Sequence, residues 1–109
     1  MIVMKFGGTS VEDAVAMKRV IEIVQREVNR KPLVVLSASS GVTNELLKIA
    51  RTVLESEEKS LQLLEKLHLR HRGITKGLLN GDMLQSIDQE LEKMFQELRN
   101  YIRGIHLLG

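Results

Sequence analysis

The feature that most constrains this sequence is a short apolar run that opens directly into two glycines. Residues 2–4, Ile-Val-Met, are followed by residues 5–10, Lys-Phe-Gly-Gly-Thr-Ser, before a helical pattern begins. Glycine lacks a Cβ atom, so the backbone of such a loop turns tightly and presents its N–H groups at close range. The sequence therefore predicts a strand, a loop and a helix in succession.

The loop also carries groups that suit an anion. Lys5 supplies a mobile positive charge, and Thr9 and Ser10 add hydroxyl donors. The helix that follows directs its partial positive N-terminus toward the same place, so the pattern predicts a cradle for a phosphate or another anion. The alternative is a plain strand-to-helix turn, in which the glycines serve only the backbone geometry and Ser10 caps the helix.

Composition removes several classes of function. The chain has 109 residues, 43% of them hydrophobic, with a formal charge of +2 and 3% aromatic residues. Such a weak positive bias gives no argument for a nucleic-acid or membrane partner. The sequence has no cysteine, which excludes disulfides, thiolate metal sites and cysteine nucleophiles. We see neither a membrane-spanning apolar run nor a leader peptide, and we expect a cytoplasmic protein.

A second strand follows the first helix. Apolar residues recur at helical spacing from Ala14 to Val28, and we expect the helix to start at Ser10 and to end around residues 29–31, before Pro32. Residues 33–36, Leu-Val-Val-Leu, form a continuous apolar run of the kind that is buried on both faces in a parallel sheet. Strand, helix and strand predict a βαβ unit with two parallel strands.

Parallel strands bring their polar loops to one edge of the sheet. Residues 37–41, Ser-Ala-Ser-Ser-Gly, leave the second strand as residues 5–10 leave the first. Ligands of open α/β sheets bind at this edge, which favours a functional interpretation of both loops. A further helix is predicted to begin near Thr43. The alternative to a functional role for Thr43 or Asn44 is that one of them simply caps this helix. Neither the Walker pattern nor G-x-G-x-x-G occurs.

The second half predicts a long antiparallel helical hairpin. Apolar positions alternate at three and four residues on both sides of Asn80-Gly81, which is typical of a coiled-coil-like seam. We divide the chain into a βαβα unit over residues 1–55 and a hairpin over residues 56–109. The predicted seam of the last helix consists of Leu84, Ile87, Leu91, Met94, Leu98, Tyr101, Ile105 and Leu108.

The histidines of the hairpin are interpreted as structural. His71 falls on the apolar seam, and we expect it to be packed and hydrogen-bonded. His68, Arg70 and Arg72 are assigned to a solvated basic face. No metal site is predicted, because no carboxylate or thiolate completes a ligand set near these residues.

Two motifs together resemble one known family. Residues 5–11, Lys-Phe-Gly-Gly-Thr-Ser-Val, and residues 37–44, Ser-Ala-Ser-Ser-Gly-Val-Thr-Asn, resemble segments of the aspartate kinases, members of the amino acid kinase family. The resemblance spans essentially the whole chain but only the beginning of the enzyme. It implies that residues 1–109 are an N-terminal fragment of a three-layer α/β domain of the amino acid kinase type.

The resemblance also implies an activity and a set of site residues. The reaction would be ATP-dependent phosphorylation of the β-carboxylate of aspartate to 4-phospho-aspartate, toward lysine, threonine and methionine. Lys5 would stabilise charge on the transferring phosphoryl group. The ATP phosphates would be bound by Lys5, Gly7, Gly8, Thr9 and Ser10, and the substrate aspartate by Ser37, Ala38, Gly41 and Thr43.

The implied cofactor is ATP with Mg²⁺ in the intact enzyme, with none bound tightly by the fragment, and the implied assembly is a homo-oligomer. Aspartate kinases continue with a Gly-Glu pair, later arginine and aspartate residues, a base pocket and regulatory domains that have no counterpart here. We therefore expect a piece of a longer enzyme that is inactive alone. The alternative is a freestanding helical interaction module derived from a kinase N-terminus, which a stop codon after Gly109 would favour.

Overall fold

The computed structural model describes residues 1–108 as an α/β chain. Its contacts divide this chain into two compact units, Met1–Val42 and a helical unit that starts at Thr43. None of the described helices is both long and apolar enough to cross a membrane. The strands and α-helices are β1 (Ile2–Phe6), α1 (Ala14–Arg26), β2 (Pro32–Leu36), α2 (Val42–Thr52), α3 (Glu57–Leu78) and α4 (Gly81–Leu108).

The predicted βαβ unit is confirmed. β1 and β2 pair in parallel, in a register that runs from Ile2 opposite Pro32 to Phe6 opposite Leu36, and α1 connects them. This α/β arrangement, followed by two long helices, confirms the predicted fold class. The carboxyl ends of both strands therefore lie at one edge of the sheet.

The predicted start of α1 is wrong by three residues. Ser10 lies in a short 3-10 helix, Gly8–Val11, and Asp13 is the N-cap residue of α1. The Ala16 amide donates a hydrogen bond to Asp13 Oδ1 at 2.8 Å. A carboxylate suits this position, because its charge interacts favourably with the helix dipole in addition to capping the amide.

The end of α1 also differs from the sequence prediction. The helix stops at Arg26, and a 3-10 helix over Val28–Arg30 follows. Lys31 then adopts a left-handed conformation, with a φ of 51°, immediately before β2 begins at Pro32. Lys31 is the C-cap residue of the 3-10 helix, and its left-handed conformation ends that helix before the strand begins.

The apolar side chains of β2 are not buried in this chain. Leu33, Val34, Val35 and Leu36 expose between 37% and 55% of their surface. The prediction of a strand covered on both faces was based on the usual environment of parallel sheets. Within the described residues the sheet has two strands, which leaves β2 without the flanking layers that such a strand normally has.

The predicted helical hairpin is confirmed, but the seam of α4 has a different phase. Phe95 and Ile102 are its buried residues, whereas Met94 and Tyr101, which we had placed in the seam, are exposed. Two apolar stripes are possible on this helix, one with spacings of three then four residues and one with four then three. Both average 3.5 residues, so the spacing alone does not show which stripe is buried. The ring of Phe95 occupies the core position and packs against two histidines of α3.

α2 belongs to the helical unit rather than to the strands. Ser60 of α3 is fully buried, and its hydroxyl donates to the carbonyl of Ile49 in α2 at 3.0 Å. Ile49 of α2 and Val53, which directly follows that helix, are buried, as is Leu64 of α3. The structure therefore divides the chain after Val42, where the sequence had suggested a division at residue 55.

Phe95 should be a main source of stability for the helical unit. Its side chain is 5% exposed, and its ring stacks on His68 with 4.4 Å between ring centroids. We expect Phe95→Ala to lower the free energy of unfolding by about 3–5 kcal/mol, as measured by urea denaturation followed by circular dichroism. The matched control is Met94→Ala, because Met94 is 58% exposed. Equal losses for the two variants would contradict this packing.

Candidate active site

The loops that follow β1 and β2 are joined through their backbones. The Ser37 amide donates to the Phe6 carbonyl at 3.2 Å, which extends the parallel ladder by one step. Beyond it, the Ser40 amide donates to the Gly8 carbonyl at 3.0 Å. The two polar loops predicted to share an edge of the sheet are therefore in direct contact. We call residues 7–11 the first loop and residues 37–41 the second loop.

The two glycines of the first loop have different environments. A Cβ atom on Gly8 would lie 3.0 Å from the carbonyl oxygen of Ala38 and 3.3 Å from the Ser40 backbone. The same atom on Gly7 would meet nothing within 4 Å. Gly8 is thus required for the close approach of the second loop. Gly7 leaves its backbone accessible from outside.

The backbone of the first loop makes a tight turn. The Ser10 amide donates to the Gly7 carbonyl at 3.1 Å. The amides of Gly7, Gly8 and Thr9 are not among the donors of the backbone hydrogen bonds that join the turns and loops of residues 1–108. Successive amides of this kind form an anion-binding concavity when they converge on one point.

Lys5 of β1 and the hydroxyl-bearing residues of the first loop, Thr9 and Ser10, do not line the same hollow. Lys5 is exposed, pairs in register with Val35, and forms no ion pair among the described residues. Thr9 and Ser10 line a hollow of about 380 Å³ beside α1, together with Glu12 and Arg19. Lys5 does not line that hollow.

The second loop offers one exposed hydroxyl and one obligatory glycine. Ser37 is exposed, and its hydroxyl donates to the neighbouring carbonyl of Ala38 at 2.9 Å. Gly41 has a φ of 84°, a left-handed conformation that other residues rarely adopt. Thr43 is the second residue of α2, is exposed, and belongs to the helical unit.

One residue of the second loop had no role in the sequence prediction. The hydroxyl of Ser39 donates to the carbonyl of Val11 at 2.7 Å, across 28 positions of sequence. The sequence offered only a hydroxyl in a run of small polar residues, and nothing in that run distinguishes Ser39 from its neighbours. The contact depends on how the two loops meet in space.

The histidines of the hairpin are packed. His71 contacts the Leu67 carbonyl through Nδ1 at 2.9 Å, which confirms the predicted hydrogen-bonded position. His68 is buried against Phe95, with Nε2 3.7 Å from Glu92 Oε2, so its assignment to a solvated face is wrong. Residues 1–108 contain no group of three or more His, Asp or Glu side chains that could hold a metal ion.

Comparisons with known proteins agree with this architecture. The sequence model of the amino acid kinase family matches residues 1–105. Aspartokinase 2, chloroplastic, of Arabidopsis thaliana is 43% identical over 113 residues, covering 97% of this chain and 19% of that protein. An aspartokinase of Chlamydia trachomatis is 44% identical over 77 residues, covering 71% of this chain and 17% of that protein.

A solved structure matches the fold. The crystal structure of E. coli aspartokinase III in complex with aspartate and ADP (R-state) superposes with a TM-score of 0.80 and 31% identity, over 98% of this chain and 23% of that one. The chain belongs to the amino acid kinase family. Its relatives are aspartokinases, and the match is to the N-terminal part of the kinase domain, as the two loop motifs predicted.

The contrast between the two glycines gives a direct test of the loop contact. We expect Gly8→Ala to lower the free energy of unfolding of the strand-containing unit by about 1–3 kcal/mol, because the added methyl group overpacks against the Ala38 carbonyl. Gly7→Ala should change it by less than about 0.5 kcal/mol. Denaturant unfolding monitored by NMR of residues 37–41 would measure both, and equal effects would disprove the close approach.

Proposed function

We propose that this chain contributes the phosphate-binding and substrate-binding loops of an aspartate kinase. The intact enzyme would transfer the terminal phosphoryl group of ATP to the β-carboxylate of aspartate and form 4-phospho-aspartate. The observation that carries the proposal is the contact of Gly8 with the backbone of residues 38–40, which joins the two loops. Support comes from the aspartokinase relatives and from the E. coli structure, which was solved with aspartate and ADP.

The first loop would bind the phosphates of ATP. Phosphoryl transfer depends on positioning and on stabilising negative charge that spreads over the transferred oxygens. The amides of Gly7 and Gly8 are proposed as fixed donors to those oxygens, and the hydroxyls of Thr9 and Ser10 as further phosphate contacts. Lys5 would supply a positive charge, because no described acidic side chain neutralises it.

ATP would bind together with Mg²⁺, which would neutralise part of the negative charge of the phosphates. The open space beside Gly7 fits a phosphate group. We assign no residue of this chain to the metal ion.

The second loop would bind aspartate. The exposed hydroxyl of Ser37 can turn from the Ala38 carbonyl to a substrate carboxylate, and Thr43 offers a second hydroxyl in the first turn of α2. Amides at a helix N-terminus also favour an anionic group. Ala38 and Gly41 shape the loop, since Ala38 is in contact with Gly8 and Gly41 has a positive φ.

The intact enzyme would act in the biosynthesis of lysine, threonine and methionine, in the cytoplasm, as a homo-oligomer. A homo-oligomer agrees with the exposed apolar strand β2, although other parts of a kinase domain would cover the same side chains equally well. These assignments concern the intact enzyme, because this chain spans 17% and 19% of the two aspartokinases compared above.

Lys5 provides the sharpest test of the phosphoryl-transfer role. In the intact kinase, Lys5→Ala should lower kcat by about 100- to 1,000-fold, the scale for losing a preorganised charge or donor. Steady-state kinetics at saturating aspartate and ATP would measure the effect. Lys18→Ala is the matched control, because Lys18 is an exposed lysine of α1 outside the loops. Near-normal turnover of a folded Lys5→Met enzyme would refute the assignment.

The chain alone should not catalyse the reaction. Its proposed site residues lie in β1, the two loops and the start of α2. Catalysis that depends on several groups acting together collapses when part of the set is missing. We expect no aspartate-dependent release of ADP in a coupled assay. Turnover that persists after removal of contaminating kinases and disappears on Lys5→Ala would contradict this expectation.

A further inference from the structure

We propose that Ser39 is a positioning residue for phosphoryl transfer, whose hydroxyl fastens the second loop to the far end of the first loop. The proposal rests on the function proposed above, and it gives a role to a residue of the second motif that the predicted site does not include. Ser39 itself need not touch either substrate. It acts through the relative placement of the phosphate-binding and aspartate-binding loops.

The contact is short, directional and sheltered. The Ser39 hydroxyl lies 2.7 Å from the Val11 carbonyl oxygen in a partly buried place. Val11 is 3% exposed and is the last residue of the 3-10 helix that leads toward α1. Without the hydroxyl, this carbonyl would be left in a sheltered place without its partner, which costs more than losing a bond at the surface.

The position of the bond explains why it matters. Two backbone hydrogen bonds hold the second loop near the strand ends. The Ser37 amide donates to Phe6 at the end of β1, and the Ser40 amide donates to Gly8 of the first loop. They hold only the beginning of the first loop. The Ser39 bond reaches its end at Val11, so the accessible backbone between Gly7 and Val11 is held from both sides.

Such a brace should act on turnover rather than on binding. Reacting groups must be held close to their productive geometry, and a misplacement of about 1 Å can cost about 100-fold in rate. Each loop keeps its own ligand groups when Ser39 is changed, so each substrate still binds. The alignment of the two substrates is what the missing bond would disturb.

The first experiment uses this chain and needs no ligand. In hydrogen exchange followed by NMR, Ser39→Ala should speed exchange of the Ser40 amide about tenfold, the scale of one hydrogen bond. The Ala16 amide, which bonds to Asp13, serves as the internal reference and should not change. The matched control variant is Ser37→Ala, because the Ser37 hydroxyl bonds only within its own loop.

The second experiment measures kinetics in the intact kinase. Ser39→Ala should lower kcat by about 10- to 100-fold and change KM for ATP and for aspartate by less than about threefold. Ser39→Thr retains the hydroxyl and should restore most of the turnover. This rescue separates the hydroxyl from general effects of the substitution.

Several results would overturn the proposal. These are unchanged Ser40 exchange in Ser39→Ala, an equal acceleration at Ala16, or a raised KM for aspartate at constant kcat, which would make Ser39 a substrate ligand. A failure of the proposed function would give a different experimental result. The wild-type intact protein would then lack aspartate-dependent phosphoryl transfer, while the exchange experiment would still report whether the brace exists.

Discussion

The close approach of Gly8 to the backbone of residues 38–40 is the constraint on which the candidate site depends. Parallel pairing of β1 and β2 brings the two loops to one edge, but it does not by itself put them in contact. Contact needs the absence of a side chain at Gly8, because a methyl group there would lie 3.0 Å from a carbonyl oxygen. Once the loops meet, the bonds of Ser40 to Gly8 and Ser39 to Val11 become possible.

The site is built largely from the main chain, and this suits its proposed chemistry. A phosphate needs several donors with fixed directions, and amides held in a loop supply them without the entropy of long side chains. The exposed Lys5 adds a positive charge that the described residues do not neutralise. In the proposed site the backbone amides would position the phosphate, and the side chain of Lys5 would stabilise its charge.

The helical unit is stabilised by a different kind of interaction. Phe95 is buried between α3 and α4 and packs against the rings of His68 and His71, so two residues that resemble metal ligands in the sequence have a packing role in the structure. β2, in contrast, leaves its apolar side chains exposed. This exposure agrees with the proposal that an intact kinase domain supplies further layers around the sheet.

The sequence by itself determined the βαβ unit, the two polar loops and the long hairpin, because short-range patterns of apolar residues and glycines specify these elements. It also contained the motifs that identify the family. The tertiary structure decided which glycine is sterically required and which phase of α4 is buried. It also gave Ser39 a partner 28 positions away. These outcomes depend on contacts between segments distant in sequence, which local spacing does not encode.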